Sequence, residues 1–173
     1  EDLLLQVKKE YFPETDHDEA IGLALTSLPS LIEMIIDLDY KLLINKTNQP
    51  FISSDFPIVK YNQFLENKKW PHGKTGFGTV GLQILAPLSP DLTIILYDRN
   101  IYKVGHKKQR VVDLIETKDV DQLNILQILN CFESIFFNEG ISEHYIRTLL
   151  NKSKNYVKPN QTKSNLTYLL EKG

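Results

Sequence analysis

The N-terminal part of the chain has the apolar spacing of amphipathic helices. The residues that recur every three or four positions between residues 20 and 35 are Ile21, Leu25, Leu28 and Ile32. This spacing predicts a helix with one apolar side. Pro29 is expected to kink or divide that helix, because proline lacks the N–H group that a helix interior uses. Residues 3–11 predict a shorter helix upstream.

The middle of the chain changes from a helical to a strand-like pattern. Short runs rich in β-branched and aromatic residues are separated by turn signals, which is typical of strands. The runs are residues 42–45, 51–53, 56–61, 81–88 and 92–97. The last two are predicted to be antiparallel neighbours because their link is short. Their continuous apolar character indicates that helices cover at least one face of the sheet.

Helical spacing returns after Asp119 and predicts one long apolar helix that ends near Asn138-Glu139-Gly140. Ser142 is the predicted cap of a last helix. The pattern therefore predicts an α+β fold, with a small, mostly antiparallel sheet covered by N-terminal and C-terminal helices. We expect residues 1–150 to form a single domain and residues 151–173 to form a polar tail with a short helical segment.

Composition narrows the function only slightly. The 173 residues carry a formal net charge of −2, which gives no global electrostatic argument for binding nucleic acid or an anionic membrane. Cys131 is the only cysteine, so an intramolecular disulfide is excluded. The longest apolar runs are much shorter than the roughly 20 residues of a membrane span. We therefore expect a soluble, cytoplasmic protein without a membrane partner.

Three familiar patterns fail on their context. Residues 76–81 match GxGxxG, but a strand pattern follows them where a dinucleotide site needs a helix. Gly73-Lys74-Thr75 resembles the end of a phosphate-binding loop, yet Lys68 stands where the first glycine is required. The four histidines are too scattered for a local metal motif. Among them His72 is the best candidate for catalysis, since its loop follows the FISSD segment.

The segment FISSDFP, residues 51–57, contains the best candidate for chemistry. Pro57 keeps Phe56 extended, so Asp55 follows a strand that is interrupted there. One interpretation is structural: Ser53, Ser54 and Asp55 satisfy backbone N–H groups in a turn. The other is functional: Asp55 acts as a general base or as a ligand for a divalent metal ion.

The functional interpretation needs further groups. Asp98, at the end of a predicted strand, is the best second carboxylate, so Asp55 and Asp98 are the candidate metal ligands of a phosphodiesterase or nuclease site. Ser54 is a weaker candidate nucleophile, because no GxSxG context surrounds it. His72 is a further catalytic candidate. The cofactor is unknown, and a divalent metal is the one that these residues suggest.

Two ordered motifs give a family resemblance. FISSDFP is followed by Pro87-Leu88-Ser89-Pro90 and then by a helix with Asn124 near its start. Together they resemble an uncharacterised prokaryotic family called domain of unknown function 4238, over residues 30–137. Ser53 stands where the family usually has threonine. The resemblance implies the fold and the candidate positions, while the family brings no established activity. Asn124 is expected to hydrogen-bond backbone near the sheet, because a buried amide needs partners.

One family feature has no match in this sequence. The family carries an N-terminal His-x-x-Pro pattern, whereas His17 is followed by Asp18, Glu19 and Ala20. The chain also begins at Glu1 without an initiator methionine. We therefore expect it to be the C-terminal portion of a longer protein.

Two functions of different classes stay open at this point. The first is a hydrolytic enzyme that acts on nucleic acid or a phosphorylated small molecule through the strand-end carboxylate of Asp55. The second is a non-catalytic binding or regulatory module that contacts a protein partner. The apolar cluster at residues 166–170 of the polar tail motivates the second.

Overall fold

The computed structural model describes residues 17–70 and 73–156. Within these ranges the chain forms three α-helices, seven strands and one short 3-10 turn, Gln63–Leu65. The helices are α1 (His17–Ile35), α2 (Thr117–Asn130) and α3 (Glu143–Ser153). The strands are β1 (Asp39–Asn45), β2 (Ser53–Ser54), β3 (Val59–Tyr61), β4 (Gln83–Ser89), β5 (Leu92–Tyr97), β6 (Val111–Leu114) and β7 (Ile135–Phe136). The fold class is α+β, as predicted.

Five of the strands form the main sheet in the order β3-β4-β5-β1-β6. The predicted antiparallel pair is confirmed as β4 and β5, in which Leu85 lies opposite Ile95. β5 also pairs antiparallel with β1, whereas β6 runs parallel to β1. β6 has only four residues, and the sequence pattern did not predict it. The separate pair β2 and β7 is antiparallel.

Helix α2 covers one face of the main sheet. Alternate residues of the central strands, among them Leu43, Leu85 and Ile95, are buried on that face and pack with Leu123 and Leu126 of α2. This arrangement follows from the period of two along a strand, which directs every second side chain to the same face. The predicted cover of the sheet by a C-terminal helix is therefore confirmed.

Helix α1 continues through Pro29 without interruption, so the predicted division there is wrong. The loss of one N–H donor removes one of the many hydrogen bonds along 19 residues. Its apolar stripe is largely exposed, with Leu25 at 60% and Ile32 at 53%. The predicted upstream helix at residues 3–11, His72 and the tail cluster at residues 166–170 lie outside the described residues.

Helix α2 ends at Asn130, so the predicted single helix up to Asn138 is wrong. The apolar residues after it belong instead to an extended segment, in which Phe136 of β7 pairs with Ser53 of β2. Helix α3 begins where it was predicted. The hydroxyl of Ser142 accepts a hydrogen bond from the backbone N–H of Tyr145 at 3.2 Å, as an N-cap does.

A buried lysine fastens the loop before β6 to the sheet. Lys41 of β1 is fully buried, and its Nζ donates to the backbone carbonyls of His106, at 2.9 Å, and Gln109. Buried ammonium groups need such partners, because losing water without replacement is costly. The backbone N–H of Leu42 extends this attachment by donating to the carbonyl of Arg110 at 2.8 Å.

The same loop requires a glycine at position 105. Gly105 has a φ of +58°, and a Cβ there would lie 2.5 Å from Cγ2 of Val112. We expect Gly105→Ala to lower the free energy of unfolding by about 1–3 kcal/mol, because strain and overlap add. Gly73→Ala is the matched control, since a Cβ at residue 73 meets no described atom within 4 Å. Urea denaturation measures both, and equal stability of the two variants would contradict the assignment.

Candidate functional site

The FISSDFP segment lies against α2 rather than within the main sheet. Phe51 and Ile52 are buried, and Ile52 packs with Ile125 and Ile128 of the helix. The backbone N–H of Phe51 donates to the carbonyl of Pro90 at 2.8 Å. The two sequence motifs that carry the family resemblance therefore touch each other.

Asn124 bonds the backbone of this segment on both sides of Phe51. Its Oδ1 accepts from the N–H of Ile52, and its Nδ2 donates to the carbonyl of Pro50, both at 3.0 Å. The side chain is almost fully buried. Its Nδ2 also donates to the hydroxyl of Tyr145 on α3 at 3.1 Å. The predicted backbone role of Asn124 is confirmed.

Two further amides on α2 continue the same pattern. Gln127 donates through Nε2 to the carbonyl of Pro57 at 2.7 Å. Asn130 donates through Nδ2 to the carbonyls of Phe56 and Ile58, at 2.6 and 3.2 Å. Residues three apart lie on one side of a helix. Sequence reasoning missed these two residues, and the spacing of three amides in an apolar helix was the signal that could have found them.

Asp55 binds the loop that follows α2. Its carboxylate accepts the backbone N–H groups of Phe132, Glu133 and Ser134 at 3.0, 2.7 and 3.1 Å. Its own N–H donates to the carbonyl of Ser134 at 2.9 Å. These bonds hold the residues after Cys131 outside the helical hydrogen-bond pattern. They are the physical reason why α2 stops before the apolar pattern ends.

The pKa of Asp55 lies below its ordinary value. Partial desolvation raises the pKa, but the N–H groups of Phe132, Glu133 and Ser134, together with the neighbouring Cys131 thiol, lower it by a larger sum. Hydrogen bonds to a carboxylate favour its charged form. Asp55 is therefore ionised at neutral pH, and its carboxylate oxygens accept hydrogen bonds from backbone N–H groups.

Ser54 is buried and bonded within the same network. Its hydroxyl donates to Oε1 of Gln127 at 3.0 Å and accepts from the N–H of Phe56 at 3.3 Å. The second bond closes a local turn of the kind that the structural interpretation describes. The role of Ser54 as a nucleophile stays a prediction.

Asp98 is bonded in a different turn. Its two carboxylate oxygens accept the N–H groups of Gly81, at 3.0 Å, and Asn100, at 2.9 Å. None of these partners bonds Asp55, so the hydrogen bonds do not join the two predicted metal ligands. Within residues 17–70 and 73–156, no group of three or more His, Cys, Asp or Glu side chains is arranged to hold a metal ion. The catalytic and metal-binding roles of Asp55 and Asp98 stay predictions.

The space beside the FISSDFP segment is small. A void of about 10 Å³ is lined by Phe51, Ile52, Asn124 and Gln127, together with Leu85, Pro87, Thr93 and Leu123. This is near the lower limit for one water molecule. This void, beside Phe51 and Ile52, is therefore too small for a substrate.

A much larger cavity, which we call the α2 cleft, lies between the main sheet and α2. It has a volume of about 1000 Å³, and residues of the core face, Leu43, Leu85 and Ile95, line it. The other aliphatic residues of the lining are Val104, Val112, Leu114, Leu123, Ile125, Leu126 and Leu129. Polar residues, including Tyr61, Glu66 and Gln83, complete the lining. Sequence reasoning did not predict this cleft, because it requires the packing of distant elements.

One edge of the α2 cleft has unusual polar chemistry. Burial, and then the hydrogen bond and negative charge of Glu66, raise the pKa of Tyr61 above its ordinary value. Gln83 lies opposite Tyr61 in the β3–β4 pair. Oε1 of Gln83 is buried and has no hydrogen-bond partner among the described residues.

The architecture is that of an α+β domain whose motif residues fasten a helix to the segment before β3, beside a cleft lined by aliphatic and polar residues. Residues 1–140 match the family described as "Protein of unknown function (DUF4238)". The chain belongs to this family. The chain matches no curated protein and no solved structure. Among the described residues, no helix has the length and apolar character needed to cross a membrane.

Removal of the Asn124 amide tests its role in the fold. Asn124→Ala leaves the N–H of Ile52 and the carbonyl of Pro50 without a partner in a buried place. We expect the free energy of unfolding to fall by about 2–3 kcal/mol. Asn151→Ala changes an exposed residue of α3 and should stay within about 0.5 kcal/mol of the unmodified protein. Equal urea midpoints for the two variants would refute the role.

The Asp55 carboxylate predicts a pH-dependent effect. A folded-state pKa below the unfolded value gives stability that is complete above the unfolded pKa, at about pH 4, and is lost as the pH falls through the folded pKa. Asp55→Asn should therefore be less stable than the unmodified protein at pH 7, and the difference should shrink on acidification towards pH 3. Asp91→Asn, in an exposed turn, is the control. A stability difference that is independent of pH would rule out the carboxylate as its source.

Proposed function

We propose that this chain is a non-catalytic binding domain and that the α2 cleft binds a small apolar molecule. The observation that carries the proposal is that core residues of the sheet, Leu43, Leu85 and Ile95, also line the cleft. A ligand there would contact aliphatic side chains from the sheet on one side and from α2 on the other. Sites for small molecules are commonly concave, mostly apolar and about 300–1,000 Å³ in volume.

Like the second hypothesis from the sequence, this proposal describes a non-catalytic binding protein. The partner is a small molecule here, whereas the hypothesis named a protein. A protein partner would use an exposed surface, whereas the α2 cleft is a concave space between two packed elements. The hydrolytic hypothesis is supported less well. A general base needs to reach a substrate proton, and the carboxylate of Asp55 already accepts three backbone N–H groups.

An apolar fluorescent probe tests whether the cleft binds. Anilinonaphthalene sulfonate gains fluorescence in apolar sites, and we expect saturable binding of one molecule per chain at neutral pH. Leu126→Trp places a larger side chain in the cleft lining and should weaken this binding by about tenfold or more, because the volume is partly filled.

The matched control is Leu150→Trp, which makes the same change at a partly exposed residue of α3 outside the cleft lining. This variant should bind the probe as the unmodified protein does. Far-UV circular dichroism and urea unfolding check that both variants are folded. Equal probe affinity in the two variants, or no saturable binding by the unmodified protein, would refute the proposal.

A further inference from the structure

The α2 cleft contains a buried acceptor that its own surroundings do not satisfy. Oε1 of Gln83 has no partner among the described residues, and Gln83 lines the cleft. Buried side-chain oxygens are nearly always hydrogen-bonded, so an exception in a folded protein points to a role. Gln83 is the first residue of β4, and the pairing of this strand fixes its backbone position.

The neighbouring groups do not supply a donor to this oxygen. Tyr61 lies opposite Gln83, and its hydroxyl does not donate to this oxygen. The Nζ of Lys74 donates to the backbone carbonyl of Glu66 at 2.8 Å. The amide oxygen of this cleft-lining residue is therefore left without a donor among the described residues.

The formal charge of the lining does not by itself select a ligand. Its cationic residues are Lys74 and Lys103, and its acidic residues are Glu66 and Asp119, so the charges balance. The choice of ligand therefore depends on hydrogen bonds that form beside the aliphatic side chains of the lining. A ligand that leaves a buried polar group of its site unpaired loses more affinity than a ligand that lacks one methylene group.

We propose that the ligand of the α2 cleft combines an apolar body with a hydrogen-bond-donating head group, such as a primary amide, and that this head donates to Oε1 of Gln83. This inference rests on the proposed function and adds the chemical class of the ligand. The apolar body would contact the aliphatic residues of the sheet and α2, and Gln83 would orient the head.

Two probes with the same chain and carbonyl, which differ in donor capacity and in two N-methyl groups, test the proposal. Octanamide carries a primary amide, and N,N-dimethyloctanamide has the same chain and carbonyl without an N–H. Displacement of anilinonaphthalene sulfonate measures the affinity of each for the full chain. We expect octanamide to bind about five- to tenfold more tightly, the effect of one hydrogen bond to a buried acceptor.

The matched variants are Gln83→Met, in the cleft lining, and Gln109→Met, outside it. Gln83→Met keeps an unbranched side chain and removes the acceptor, so the preference for octanamide should disappear. Gln109 is exposed, and its variant should keep the preference. Thermal unfolding checks the fold, and Gln83→Met should be at least as stable, because it removes an unpaired buried oxygen.

The outcomes separate this proposal from the proposed function. Equal affinity for the two amides would refute the hydrogen bond from the ligand to Gln83 and would leave the cleft as a binding site. A preference that persists in Gln83→Met would overturn the role of Gln83. If neither amide nor the fluorescent probe binds, the proposed function is wrong and the inference falls with it.

Discussion

The side-chain amides of α2 bond the backbone of the segment from Pro50 to Ile58 on both sides of its short pairing with β7. Extended backbone that leaves a sheet has N–H and carbonyl groups that must find partners when they are buried. Asn124, Gln127 and Asn130 supply those partners from one side of a helix. The positions of β2 and β3, and through Asp55 the end of α2 itself, depend on this arrangement.

Helix α2 divides its surface between two tasks. One side fixes the helix to the FISSDFP segment, and the adjacent side, with Leu123 and Leu126, forms one wall of the cleft. The amide side therefore fixes the helix to the segment before β3, and the same helix carries one wall of the cleft.

The sequence was sufficient for features that depend on local pattern. The β4–β5 pair, the cap at Ser142 and the backbone role of Asn124 follow from spacing and turn chemistry. The end of α2 could not be predicted, because the apolar spacing continues through Phe136 and the group that interrupts the helix is Asp55, 77–79 residues away. The cleft and the unpaired oxygen of Gln83 arise only when sheet and helix pack together.

The long separation between the motif and its partners affects the order of assembly. Residues 50–58 are made well before residues 124–134, yet the hydrogen bonds between these segments span 70–79 positions. Closing such a loop costs conformational entropy before the contacts that offset this cost have formed. The β4–β5 hairpin can form from near neighbours, whereas the FISSDFP segment has to wait for α2. During synthesis, its unpaired backbone is therefore open to pairing with other chains.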